Sequence, residues 1–237
     1  MNASVVVLTY NGRRWVEACL DSVLKAGVDA RAVFVVDNAS ADGTPDLVRT
    51  AFPGVRLIAA QRNLGFAAGC NVGIRAALEA GFDSVALLNQ DTRVAPDCFL
   101  RLDEAAQAES KAGIFAPLQF TYDGAGIDPS QRQGILAGIG DFLDDLWHGR
   151  LKSAYPADAV YGGAVLVHRS VFERIGLFDE TFFLYGEDED FCRRARRSAV
   201  PIWLVPHAHV FHWHTIVQGD REQDPAIAAH VRRARLV

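Results

Sequence analysis

Short apolar runs alternate with amphipathic stretches from the start of the chain. Ser4-Val5-Val6-Val7-Leu8-Thr9-Tyr10 is rich in β-branched residues and stops at Asn11-Gly12, which predicts a first buried strand. Val16, Leu20, Val23 and Leu24 then recur at helical spacing, and Gly27 stands where a helix C-cap belongs. Ala32 to Val36 predicts a second strand that delivers Asp37-Asn38-Ala39-Ser40. A turn over Ala41 to Pro45 opens a second helix, with proline tolerated in its first turn. Val55 to Ala59 reads as a third strand, and Asn63-Leu64-Gly65-Phe66 leads into an alanine-rich helix. Val85-Ala86-Leu87-Leu88 is apolar throughout, which predicts a buried parallel strand covered on both faces. The β-α-β-α-β-α-β order implies right-handed crossovers and an α/β fold, a mostly parallel central sheet with helices on both faces.

The second half is less regular. A helix is expected from about Pro96 to Ser110 and a strand over Gly113 to Leu118. From Tyr122 to Asp158 the period is lost, with Phe142, Leu146 and Trp147 as scattered apolar anchors. Long irregular segments are often binding loops or lids, so this one reads either as a substrate loop or as a surface excursion over a small satellite core. Gly162-Gly163 opens a strand through Val167, and paired glycines let a ligand approach the backbone closely. Ser170 is expected to cap a short helix that Gly176 ends.

Composition narrows the class. A formal net charge of -5 gives no basic surface for a nucleic-acid partner. No apolar stretch approaches the roughly eighteen residues that span a bilayer. The first residues lack the basic region of a signal peptide, and the four scattered cysteines form no C-x-x-C pair. A reduced, cytoplasmic protein without structural zinc is expected.

The chemistry sits where the runs end. Asn89-Gln90-Asp91 closes the Val85 strand, and polar groups at the carboxyl ends of open α/β sheets face the ligand crevice. Asp91 reads as a ligand for a hard divalent cation beside substrate phosphates, or simply as a turn cap. Further on, Phe182-Phe183-Leu184-Tyr185 leads into Gly186-Glu187-Asp188-Glu189-Asp190 and then into arginines. Acids before bases suit a helix dipole, which accounts for Glu189 and the outer arginines. The preceding aromatics would also partly desolvate a carboxylate and make it a better base. Finally, His207, His209, His212 and His214 cluster after Pro206, the first two on one face of an extended strand and the last two on the other. Several histidines together would suit zinc; one completing a site with Asp91 and a diphosphate suits Mg²⁺ or Mn²⁺, the preferred reading. Neither G-x-G-x-x-G nor a P-loop follows the first strand, so dinucleotide-binding and P-loop readings fall.

These stretches, taken in order, resemble the inverting family 2 glycosyltransferases with a GT-A fold, most closely their rhamnosyltransferase-like branch. The matching segments are Val5 to Gly12, Val36 to Thr44, Asn63 to Asn71, Leu88 to Asp91, Gly162 to Ala164, Glu187 to Arg194 and the His212 region. The resemblance implies one domain over 1–237, with a nucleotide-binding half at 1–92 and an acceptor or catalytic half at 93–237. It implies that Thr9, Asn11, Asp37, Asn38, Asn63, Gly65 and Asn89 line the nucleotide sugar. Asp91 and His212, with His214 as a rival, would bind Mg²⁺ or Mn²⁺; Asn89 stands where the family's metal motif has its first Asp. Asp188, beside Glu187, would be the general base, and Gly186 departs from the tryptophan the family usually carries before the acids. The implied partners are a nucleoside-diphosphate sugar such as dTDP-rhamnose and a saccharide or lipid-linked saccharide acceptor. The implied setting is cell-surface polysaccharide synthesis in the cytoplasm, at the inner face of the membrane if the basic tail His230 to Val237 touches anionic lipid. A sugar-phosphate nucleotidyltransferase would need a basic glycine-rich loop after the first strand, which Thr9 to Arg14 does not supply. An inactive nucleotide-sugar-binding module would not need Asp91, Asp188 and His212 together.

Overall fold

The β-branched run Ala3–Thr9 forms β1, and every residue from Ser4 onward is buried in it. The computed structural model describes residues 2–109, 112–134, 136–161 and 163–213. After β1 come α1 (Val16–Lys25), β2 (Val33–Asp37), α2 (Thr44–Ala51), β3 (Arg56–Ala59), α3 (Phe66–Glu79) and β4 (Ser84–Asn89). A three-residue β5 (Thr92–Val94) precedes α4 (Cys98–Ala108) and β6 (Ile114–Thr121). Then follow α5 (Pro129–Gly134), α6 (Gly140–Trp147), β7 (Tyr155–Pro156), β8 (Ala164–His168), α7 (Arg169–Ile175), α8 (Glu187–Arg197) and β9 (Ile202–His212). Among the described residues no helix is long and apolar enough to cross a membrane.

The strands build one sheet in the order β3-β2-β1-β4-β8-β6-β9-β5, with β7 also on β9. β1 pairs parallel with both β2 and β4, as the alternating elements predict. β4 differs from the expectation on its other side, where β8 runs antiparallel to it. A chain arriving from a loop rather than through a crossover helix has no reason to enter parallel.

Alternate side chains of the central strands feed two apolar layers, as the two-residue period requires. Val5, Val7, Val33, Val35, Ala86 and Leu88 pack with α1, α2 and α4 on one face. Val6, Leu8, Phe34, Val36, Val85 and Leu87 pack with α3, α7 and α8 on the other. α3 lies unusually close: a Cβ at Gly73 would sit 2.3 Å from Val6 Cγ1, and one at Gly69 2.5 Å from Leu8 Cδ1. All four cysteines are buried and free, and burial pushes the Cys19 thiol up to about 12.

The 122–158 segment is more ordered than its composition suggests. A third apolar cluster of Leu118, Leu136, Ile139, Phe142, Tyr155 and Leu204 lies beneath it. Phe142 is a true anchor, fully buried, and its truncation to alanine would cost about 3–5 kcal/mol. Leu146 and Trp147 are not anchors, being 40% and 87% exposed. Helix α6 turns only one narrow stripe inward, so three of its four large apolar residues, Leu143, Leu146 and Trp147, face water.

Candidate active site

The carboxyl ends of β1 and β2 carry the first group of expected residues. Thr9 Oγ1 donates to Asp37 Oδ1 at 3.1 Å, and Ser40 N–H donates to Asp37 Oδ2 at 3.0 Å. Asn11 takes a left-handed backbone (φ 47°), which asparagine tolerates, and its Oδ1 accepts from Ala41 N–H at 2.9 Å. Asn38 is buried and wholly committed: its Oδ1 accepts from Leu64 N–H, while its Nδ2 donates to Asn63 Oδ1 and Gly65 O, both at 2.9 Å. Asn63 Oδ1 also accepts from Gly65 N–H. Asn38 and Asn63 therefore brace the loop.

The start of α3, where Asn63 and Gly65 are expected to line the nucleotide sugar, has its first backbone donors already engaged. Gly65 N–H is taken by Asn63, and Phe66 N–H donates to Phe183 O at 2.6 Å, so these two groups are already bonded. Gly65 is required there: its φ is +85°, and a Cβ would meet Phe183 O at 2.5 Å.

Strand register brings the second group together. β5 runs antiparallel to β9 with Thr92 opposite His212, and Trp213 N–H donates to Asp91 O at 3.0 Å. His212 Nε2 thereby lies 3.4 Å from Asp91 Oδ1, although 121 positions separate them in sequence. Asn89 Nδ2 is 3.5 Å from the same imidazole nitrogen, and Asn89 Oδ1 is buried with no hydrogen-bond partner among the described residues. Burial alone would lower the His212 pKa. The contact with Asp91 and the fields of Asp91 and Asp128 outweigh it, and the net direction is up. The same negative field would also favour a metal cation in place of the proton.

Among the described residues no three His, Cys, Asp or Glu side chains converge on one point. The donor set is nevertheless one carboxylate, one imidazole and one orphaned amide oxygen, which fits a divalent cation whose remaining ligands are phosphate oxygens and water. His214, Gly162 and the 230–237 tail lie outside the described residues. On β9, His207 and His209 share one face and His212 takes the other, as the strand period predicts.

The acidic pair opens α8. Tyr185 (φ 67°) and Gly186 (φ 95°) are both left-handed and turn the chain sharply into the helix. For Tyr185 that conformation costs roughly 1–3 kcal/mol, which packing around it must offset. Glu187 is 4% exposed, its Oε2 has no partner among the described residues, and burial, then the neighbouring Asp188 charge, pushes its pKa up to about 7. Asp188 is half-buried, and its Oδ1 accepts from Glu189 N–H at 2.8 Å.

Asn89, Gly163, Glu187, Asp188 and His212 line one cleft of about 360 Å³, together with Phe66 and Tyr185. The cleft also contains Gln119, Asp128, Ser130 and Tyr161, which the sequence did not single out. Gln119 closes an apolar run as Asn89 does, and Asp128 falls within the irregular segment marked as a candidate binding loop. Those were the only signals available. Gln90 ties the two groups: its Oε1 accepts from Tyr10 N–H at 2.9 Å and its Nε2 donates to Tyr10 O at 3.1 Å.

The sequence profile of glycosyl transferase family 2 matches residues 4–176, and that of the N-terminal domain of galactosyltransferase matches residues 149–215. The chain is 32% identical over 248 residues to the N-acetylglucosaminyl-diphospho-decaprenol L-rhamnosyltransferase of Mycobacterium tuberculosis, covering 95% of this chain and 80% of that one. It is 25% identical over 217 residues to the dTDP-rhamnosyl transferase RfbF of Shigella flexneri, covering 90% and 70%. Its fold is similar to that of GalNAc-T7 crystallised with UDP, GalNAc and Mn²⁺, with a TM-score of 0.70 at 17% identity. That match covers 90% of this chain and only 44% of the other, less than half its length.

Proposed function

The chain belongs to glycosyl transferase family 2, a glycosyltransferase with a GT-A fold that uses a nucleotide sugar, and from that premise we propose that it transfers a hexose with inversion and depends on a divalent metal. dTDP-rhamnose is the proposed donor, and a saccharide or lipid-linked saccharide the proposed acceptor, in cell-surface polysaccharide synthesis. Relatives named for rhamnosyl transfer support the donor, and the decaprenol-linked substrate in one of those names supports the acceptor. The proposed division is a nucleotide-binding half at 1–92 and an acceptor half at 93–237 within one domain, acting in the cytoplasm.

In this reading Thr9, Asn11 and Asp37 face the base and ribose, with Asn38 and Asn63 shaping the loop that receives them. Asp91, His212 and the free oxygen of Asn89 would hold Mg²⁺ or Mn²⁺. When bound, the cation would offset charge building on the leaving diphosphate. Asp188 removes the proton from an acceptor hydroxyl, and that oxygen attacks the anomeric carbon opposite the nucleotide. The bond from anomeric carbon to phosphate oxygen breaks, and the nucleoside diphosphate leaves with the electron pair. Glu187, buried beside Asp188, keeps a neutral neighbour next to the base at low pH and a charged one above about 7.

One observation carries the proposal: His212, in contact with Asp91, lines the same cleft as Asp188. The test is Asp188→Asn. Transfer should fall by about 10²–10⁴-fold, the usual contribution of a general base, while nucleotide-sugar binding is retained. Wild-type turnover in that variant would overturn the assignment.

A further inference from the structure

The transfer step leaves two side chains of the cleft unused. Gln119 and Asp128 are each 2% exposed, yet Gln119 Nε2 and Asp128 Oδ2 have no hydrogen-bond partner among the described residues. The backbone of Gln119 and the other carboxylate oxygen of Asp128 are held in place. Gln119 N–H donates to Gln131 Oε1 at 2.7 Å, and Asp128 N–H donates to Gln119 O at 2.9 Å. Asp128 Oδ1 accepts from Ser130 and Gln131 N–H at 2.9 and 3.2 Å. Gln131 is fully buried and donates to Pro117 O at 3.0 Å. A rigid frame thus leaves one donor and one acceptor at a cleft wall.

A buried carboxylate oxygen without a partner is destabilising, so its retention calls for something that completes it. A donor and an acceptor on the lining of one cleft match sugar hydroxyls, which give and take a hydrogen bond at once. Resting on the transferase reading above, we propose that Asp128 and Gln119 read the hydroxyl groups of the transferred sugar and so decide which nucleotide sugar is used.

Position favours the transferred sugar over the acceptor. A Cβ on Gly163 would lie 3.1 Å from Gln119 Oε1 and 3.3 Å from His212 Cε1, so one bare glycine separates Gln119 from the imidazole at the diphosphate end. Gln119 pairs with Val210 and Thr121 with His212, which sets Gln119 and His212 on one face of the β6–β9 ladder. The transferred ring is bonded directly to the diphosphate, so its hydroxyls come within reach of this wall first.

The experiment swaps hydrogen-bonding sense without removing bulk. Asp128→Asn keeps Oδ1 and turns the orphaned oxygen into a donor; Gln119→Glu does the reverse. Each full-length variant is assayed with a panel of nucleoside-diphosphate sugars that differ by one hydroxyl, alongside binding of the nucleoside diphosphate alone. Each swap should lower kcat/KM for the preferred donor about 10- to 100-fold, the range for a hydrogen bond involving a charged group. The gap between that donor and its deoxy or epimeric analogue should shrink, with nucleoside-diphosphate affinity and acceptor KM unchanged. Unaltered donor preference in both variants overturns the inference, as does a change confined to acceptor KM. If Asp128→Asn does not fold, Gln119→Glu decides alone. A wild-type chain inactive with every sugar of the panel overturns the proposed function as well, whereas an active wild type with indifferent variants overturns only this inference.

Discussion

On the rim formed by β1, β2 and the start of α3, Thr9, Asp37, Asn38 and Asn63 direct their polar groups at one another and at nearby backbone. On the rim formed by β4, β6 and α8, Asn89, Gln119, Asp128 and Glu187 each keep a buried polar atom with no partner among the described residues. The first rim is a finished frame whose hydrogen bonds already stabilise the fold. The second is unfinished, and its unmet polarity is what a ligand would satisfy. Substitutions at Asn38 and Asn63 should therefore be read out in stability, and those at Asn89 and at the Asp91–His212 pair beside it in activity.

The hardest test of that contrast is His212→Ala. Transfer should drop by about 10²–10³-fold, corresponding to several kcal/mol of lost charge stabilisation, and the stabilisation that Mn²⁺ gives in the presence of nucleoside diphosphate should disappear. A thermal melt of the metal-free chain checks the other side: a loss there comparable to the loss of activity would erase the distinction between the rims.

Glu187→Gln sharpens it. The folded chain holds this carboxyl near pKa 7 against an ordinary 4.5, so the folded state prefers the protonated form. Its contribution to stability is complete below about pH 4.5 and is lost as pH rises through 7. The neutral amide has no such dependence. Relative to the variant, the wild type should weaken by up to about 3 kcal/mol between those limits, measured by denaturant melts at several pH values. Parallel curves would show that burial does not perturb Glu187.

Asn38→Ala is the smallest effect and lies on the finished rim. Losing its three bonds should cost about 1–3 kcal/mol of stability, seen as a lower denaturation midpoint, with donor KM altered by only a few fold. A large KM effect without destabilisation would mean that Asn38 meets the nucleotide directly.

How much of this the chain disclosed in advance follows from range. The first strands, their helices and their order were legible, because apolar runs such as Val85 to Leu88 and the stripe from Val16 to Val23 are local signals. Asn89, Asp91, Asp188 and His212 were visible as polar groups at the ends of such runs or in distinctive clusters. Gln119 and Asp128 were not, because their environment arises only when β6 packs beside β9 and the 122–158 segment folds over its own core. β5 was missed for the same reason: three residues carry no period, and only the pairing with β9 makes them a strand. The antiparallel entry of β8 is also a property of its partner, invisible in Gly163 to Val167 alone.

The seam where Gly65 and Phe66 press on Phe183 has one more consequence. Because backbone meets backbone there, the distance from the first turn of α3 to the approach of α8 is a gauge set before substrate arrives. A bulkier residue at 65 would wedge the two apart and widen the gap. Such a lesion would be felt by sugar donors of every kind, since what it changes is the width of the entrance and not any one group within.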